Sequence, residues 1–310
     1  MLGQIIEIEG EGRRLSLSRG FLEISCAEGR LGQAPLDDIE AVIFSNPAAS
    51  LTTQAIAALA KRGAPLVICG PDFRPVGYLL PVDGHHAQGD RMEAQAAALI
   101  PLRKRLWAEL ARAKILAQGA ALDRCGIDGT ALREIAARVR SGDPENLEAQ
   151  AAQRYFPLMF GKAFRRDREA EGANALLNYG YTVLRAATAR AVVGAGLHPS
   201  LSLHHRSKGD ALRLVDDVME PFRPTVDLAV RALLAVGLDK LEPAVKRRLA
   251  LVLHADFLTD EGATPLSSVL SRLAGSLAQV FLGERKSLAL PSSLIPLEAA
   301  ELPAVEAEAE

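Results

Sequence analysis

Around residues 83–90 the chain changes its hydrophobic period, and that change limits the folds open to it. Upstream, residues 4–9 and 14–18 alternate apolar with polar side chains, as half-buried strands do, and Glu11-Gly12 supplies a turn between them. Residues 21–26, 41–44, 65–69 and 76–80 read as further strands. A short helix interrupts them, capped by Ser50, running to about Lys61 and stopped by Gly63. Downstream the period becomes helical: Leu99, Leu102, Leu106, Leu110 and Ile115 recur near a 3.6-residue spacing. Residues 91–119 hold one or two helices and 130–139 another. Asp143-Pro144 forms an N-cap and first-turn pair that launches a helix to about Phe160. Helices follow over 173–194, over 210–236 with interruptions at Pro221 and Pro224, and over 243–258 and 265–282. The polar, glycine-bearing stretch 83–90 is a linker. The predicted fold is α+β: a small, mostly β N-terminal domain (1–82), then a larger all-α domain (91–290). An acidic tail, 291–310, with Glu298, Glu301, Glu306, Glu308 and Glu310, is expected to be disordered.

With 310 residues, 49% of them hydrophobic, the chain can bury a core and has room for two domains. Aromatic residues make up 5%, too few for a base-stacking platform as the main binding mode. The net charge of −2 gives no global field toward nucleic acid or anionic membrane. A polyanionic partner would need a local basic patch or a second protein. Cys26, Cys69 and Cys125 are odd in number and far apart, which fits reduced thiols in a cytoplasmic protein better than a disulfide frame or zinc site. The N-terminus lacks a signal-like segment, and no apolar run approaches the ~20 residues that cross a bilayer, so no membrane association is expected.

Chemistry concentrates in the helical half. Leu203-His204-His205-Arg206 precedes Asp216-Asp217-Val218-Met219-Glu220-Pro221-Phe222-Arg223-Pro224, which brings imidazole, acids and arginines together. Imidazole with carboxylates is the ligand set of a hydrolytic or phosphoryl-transfer metal site. Adjacent residues of an extended segment point opposite ways, so at most one of His204 and His205 should face a site shared with Glu148. Glu148, near the start of its helix, shares a face with Ala152 and Tyr155. It therefore needs a partner from elsewhere, unless it merely complements the helix dipole. Asp217 and Glu220 share a face three residues apart on a helix capped by Asp210. Arg213 stands four before Asp217, spaced to pair with it. Pro221 and Pro224 break the ladder after Glu220, so its carboxylate can be aimed into a cleft. Arg154, Lys162, Arg165, Arg166, Arg168, Arg185, Arg190, Arg206 and Lys208 surround these acids. They could hold a phosphodiester backbone or only offset neighbouring charges. Glycine-rich phosphate loops and the H-E-x-x-H and G-x-S-x-G motifs are absent.

Taken together, these motifs resemble a known family. Residues 146–156, Asn-Leu-Glu-Ala-Gln-Ala-Ala-Gln-Arg-Tyr-Phe, resemble the helix that carries the metal-binding glutamate of the CRISPR-associated spacer-acquisition integrase. Residues 174–181 are similar to that family's next helix. The 203–206 and 216–224 segments resemble its histidine and acidic motifs, in the form typical of systems with a single large effector nuclease. The resemblance runs from Met1 to about Leu290 in layout, and departs from the usual glycine at Ala149 and Ser202. It implies Glu148, His205 and Glu220 as catalytic metal ligands for Mn²⁺ or Mg²⁺, with Asp217 as an additional nearby acid. Arg154, Arg165, Arg166 and Arg206 are the candidates for contacts to DNA.

The activity so implied is metal-dependent endonuclease and integrase chemistry in antiviral CRISPR adaptation. A 3′-hydroxyl of spacer DNA would attack a repeat phosphodiester by transesterification. The implied partners are double-stranded DNA, a second copy of the chain joined through the β domain, and a small ferredoxin-like subunit completing a heterohexamer. The effector nuclease is a further partner that the resemblance allows. A stand-alone metal-dependent nuclease acting on branched or repair DNA and a non-catalytic DNA-binding scaffold are the competing readings.

Overall fold

The computed structural model describes residues 4–45, 48–70 and 75–298. Of the acidic tail, 299–310 lie outside the described residues. The chain has an N-terminal β-rich region followed by a helical domain.

Strands β1 (Gln4–Ile8), β2 (Arg14–Ser18), β3 (Phe21–Cys26), β4 (Gly29–Pro35), β5 (Ile39–Phe44) and β6 (Ser50–Leu51) come first. Helix α1 (Thr53–Lys61), β7 (Leu66–Cys69) and β8 (Pro75–Leu79) complete this half. One sheet has the order β1-β5-β7-β8, the other β4-β3-β2-β6. The turn at Glu11-Gly12 therefore does not pair its flanking strands. Strand β1 runs parallel to β5, whereas β2 joins β3 in the second sheet. Strand β4 was not expected from the sequence, because its two glycines and single buried residue blur the alternation. Ser50 belongs to β6, not to a helix cap. Thr52 caps α1, its hydroxyl accepting from the Ala55 amide at 3.2 Å.

The first sheet sits between two cores. Val42, Phe44 and Leu66 pack with Leu15, Leu22 and Leu59 of the β half. Ala41, Ile43 and Val67, on alternate positions of the same strands, join the helical core. Polar ties reinforce this contact. The Tyr179 hydroxyl donates to Glu7 at 2.8 Å, and Lys246 reaches both Glu7 and Glu9.

The helical half comprises α2 (Gln88–Ala97), α3 (Ile100–Arg124), α4 (Thr130–Ala137), α5 (Leu147–Phe160), α6 (Ala173–Gly194), α7 (Arg213–Met219), α8 (Arg223–Ala235), α9 (Pro243–Ala250) and α10 (Leu266–Phe281). The expected linker ends as helix, since α2 already begins at Gln88. The expected 243–258 helix ends early. A 3₁₀ turn (Leu251–His254) leads instead into a hairpin of β9 (Asp256–Thr259) and β10 (Gly262–Pro265), an addition to the helical domain. Helix α5 starts three residues later than the Asp143-Pro144 pattern suggests. Asp143 and Asn146 adopt left-handed backbone, φ 48° and 53°, in the loop before it. Aspartate and asparagine tolerate that region better than other non-glycine residues. From there the Asp143 carboxylate still caps the helix, accepting the amides of Leu147 at 2.9 Å and Glu148 at 3.0 Å.

Candidate functional site

Helix α3 is buried on most of its circumference, yet it carries Lys114 among Leu110, Ala111, Ala113, Ile115 and Ala117. An ammonium there needs anionic partners to remain charged. It has two. Its Nζ bonds Glu148 and stands 2.5 Å from Oε2 of Glu220. The partner that Glu148 requires is thus a cation from another helix, and the same cation gathers Glu220.

Each carboxylate is delivered by a helix irregularity. Glu148 sits in the first turn of α5, fixed by the Asp143 cap. Glu220 opens a 3₁₀ turn (Glu220–Phe222) between α7 and α8. Pro221 and Pro224 lack amide donors, which breaks the α ladder at this point and turns the Glu220 side chain inward. Glu220 is 4% exposed. Its Oε1 accepts from Arg223 Nε at 2.9 Å, while Oε2 faces the Lys114 ammonium without a hydrogen bond of regular geometry. Burial alone would raise the pKa of Glu220, but Arg223 and Lys114 outweigh it and hold the carboxyl at about 2. Burial likewise opposes the charge on Lys114, and Glu220 with Glu148 overcomes it, so the lysine pKa is raised.

His205 lies beside this pair and is held by Asp217. The Asp217 carboxylate, fully buried, accepts the backbone amides of Leu203, His204 and His205 at 2.6, 3.1 and 3.2 Å. It also meets His205 Nδ1 at 2.7 Å. That hydrogen bond raises the pKa of His205 above its usual value, with a smaller contribution from Glu220. The expected Arg213–Asp217 pair is not formed, because the carboxylate points inward to these donors. Nor is the histidine segment extended. Three successive amides can converge on one carboxylate only if the backbone bends, and the bend sends both imidazoles to Trp107. His204 stacks on the indole at 4.2 Å and His205 meets its edge at 5.7 Å. Burial lowers the pKa of His204.

Arg185 of α6 anchors the histidine loop from outside, with Nε 2.7 Å from Asp216 and an amino group 2.8 Å from Asp210. Of the basic candidates, Arg154 and Arg206 are exposed and form no ion pair among the described residues. Arg165 is exposed and touches only backbone oxygens of Lys162 and Phe164. Arg166 is half-buried and spends its donors on Asn174 at 2.9 Å and Asn178 at 2.6 Å, tying the loop before α6 to that helix.

The structure thus brings Glu148 and Glu220 to one point and leaves His205 on Asp217 next to them. Among the described residues no three acidic, imidazole or thiol groups form a cluster placed to hold one ion. Two observations nevertheless fit a cation site: both carboxylates converge on a single positive charge, and one buried carboxylate oxygen has no regular hydrogen bond. Lys114 and Trp107 were not singled out from the sequence, Arg223 only as one arginine of its motif, and Asp143 only as a helix cap. A lysine on the apolar face of Leu110, Ala111 and Ala117, and an arginine between two prolines three residues past a glutamate, are the signals that could have found Lys114 and the role of Arg223.

Residues 6–256 match the family described as CRISPR associated protein Cas1. The chain is 38% identical over 292 residues to the CRISPR-associated endonuclease Cas1 of Neisseria meningitidis serogroup C, covering 93% of this chain and 95% of that protein. Among solved structures, a casposase bound to its integration product superposes with a TM-score of 0.75 at 20% identity, over 99% of this chain and 96% of that one. A subunit of a Cas6-RT-Cas1–Cas2 complex superposes with a TM-score of 0.74 at 18% identity, over 93% of this chain and 36% of that subunit.

Proposed function

The chain belongs to the CRISPR-associated Cas1 family, and from that premise we propose that it is a divalent-metal-dependent DNA integrase. It would insert spacer DNA into a repeat by transesterification. The observation that carries this reading is the convergence of Glu148 and Glu220, from distant segments, on one cation position beside an oriented histidine. Glu148, Glu220 and Nε2 of His205 would hold Mn²⁺ or Mg²⁺, a set of hard oxygens plus one imidazole suited to either. A bound divalent ion would supply Lewis-acid stabilisation of the phosphoryl oxygens and ease deprotonation of the attacking 3′-hydroxyl.

The chain's own residues do the positioning. Asp217 takes Nδ1–H of His205, which leaves the Nε2 lone pair for ligation and fixes the ring's direction, as outer partners of metal-bound histidines do. Arg223 keeps Glu220 ionised at any physiological pH. Arg154, Arg165 and Arg206 hold phosphates of the DNA backbone. The β half joins two copies of the chain, and a small subunit of the Cas2 kind bridges such dimers. The similarity to a Cas1–Cas2-containing complex supports that assembly, and the similarity to an integration-bound casposase supports strand joining over simple cutting.

The test is an integration assay on a supercoiled plasmid bearing the repeat, with 3′-hydroxyl spacer DNA, the small subunit and Mn²⁺ or Mg²⁺. Covalent joining that Glu148→Gln abolishes while DNA binding persists is the expected result. Cleavage of branched DNA with no joined product would replace this reading with that of a nuclease.

A further inference from the structure

We propose that Lys114 is a resident counter-cation that keeps Glu148 and Glu220 together when no divalent ion is bound. It must withdraw for an ion to bind, and it thereby sets the metal affinity of the site. The inference rests on the metal reading above.

The positions of the charges require the exchange. Glu148, Glu220, Lys114 and Arg223 form a neutral group, with Lys114 only 8% exposed and ion-paired with both acids through one nitrogen. A divalent ion meeting both carboxylates would have to stand where that nitrogen is. If the lysine stayed in contact, three cationic centres would crowd two carboxylates in a poorly hydrated space, where like charges repel strongly. With Lys114 withdrawn and the ion in place, the group carries a single positive charge, which one phosphodiester neutralises. The choice of residue fits the task. Arg223 is pinned by Glu220 and by the Tyr181 ring, 4.7 Å beneath its guanidinium. Lys114 instead ends in a compact ammonium on a flexible stem.

Two measurements on the full-length protein test this. In metal-free protein carrying ¹⁵N-lysine, the slowly exchanging ammonium signal of Lys114, assigned by its absence in Lys114→Arg, should shift or disappear as Mg²⁺ is added. Free Mn²⁺ followed by electron paramagnetic resonance should show Lys114→Met binding roughly 10–100-fold more tightly than the native protein, the range by which neighbours of metal ligands alter affinity. Lys114→Arg, which keeps the charge, should show no such gain. A folded Lys114→Met with unchanged or weaker Mn²⁺ affinity overturns the proposal. So does an ammonium signal that ignores saturating Mg²⁺, and that signal decides alone if Lys114→Met does not fold. Mn²⁺ binding that needs Glu148 but is indifferent to Lys114 defeats this proposal only. Mn²⁺ binding that is equally absent from the native protein and Glu148→Gln defeats the metal reading and this proposal together.

Discussion

Oδ1 of Asp217 stands 2.7 Å from Nδ1 of His205, and the same carboxylate gathers the amides of residues 203–205. One buried acid thus sets both the path of the histidine loop and the direction of its ring. Asp217→Asn keeps the volume but leaves one oxygen for donors that now share two. It should lower unfolding stability by about 1–3 kcal/mol, the cost of buried donors left unmade. Urea denaturation gives the loss, and ¹⁵N spectra of His205 should show the ring no longer confined to one tautomer. A variant with native stability and one tautomer would remove Asp217 from this role.

Trp107 is the chain's one tryptophan, so its emission reports on both histidines. Imidazolium quenches indole by electron transfer. As pH falls, His205, raised by its bond to Asp217, should protonate first, and His204, lowered by burial, second. Emission should fall in two steps, and His204→Gln should abolish the lower one. The sign for stability follows. His205 binds its proton more tightly when folded, so its contribution is complete below about pH 6.5 and is lost as pH rises through the folded value.

Asp227 behaves in the same sense for another reason. It is buried and accepts from the Tyr181 hydroxyl at 2.5 Å, and burial pushes its carboxyl up to about 6. The folded state therefore holds this proton more tightly than the unfolded chain. Its contribution is complete below about pH 4 and is lost as pH climbs through about 6, a decline on the order of 3 kcal/mol. Asp227→Asn should flatten the pH dependence of metal-free stability between pH 4 and 7. An unchanged slope would show that Asp227 does not titrate there.

Two glycines mark close helix approaches of different kinds. A Cβ at Gly180 of α6 would overlap Cγ1 of Val226 on α8, a side chain that can be trimmed. Gly180→Ala should cost about 1–3 kcal/mol, and Val226→Ala should recover part of it in the double variant. A Cβ at Gly129 would instead overlap the backbone carbonyl of Gly119. Gly129→Ala should be the more damaging change, with no single side-chain deletion restoring it. Thermal melts of the four variants check this.

Local chemistry alone makes much of the molecule legible in its sequence. Strands over 14–18 and 21–26 and helix 173–194 were readable because their periods are strong and their ends are marked by glycine or polar residues. The break at Pro221 and Pro224 was readable because proline lacks a donor wherever it stands. The hairpin at 256–265 was hidden, since a four-residue strand is too short to show a period against a preceding helical pattern.

The candidate site divides the same way. Glu148, His205 and Glu220 could be named as a set only through the family resemblance of the segments that carry them, whereas Glu148 could be seen to need a partner because a carboxylate on a semi-apolar face is costly. Lys114 could not be identified as that partner from 34 positions away. Spacing along one helix also argued for Arg213 with Asp217, and the fold preferred three loop amides and an imidazole. Sequence determines which groups are present and how each helix or strand begins, turns and ends, because those depend on neighbours within a few residues. Which charges neutralise one another is decided only when distant helices pack, because burial removes water and forces every ionised group to the nearest opposite charge in space.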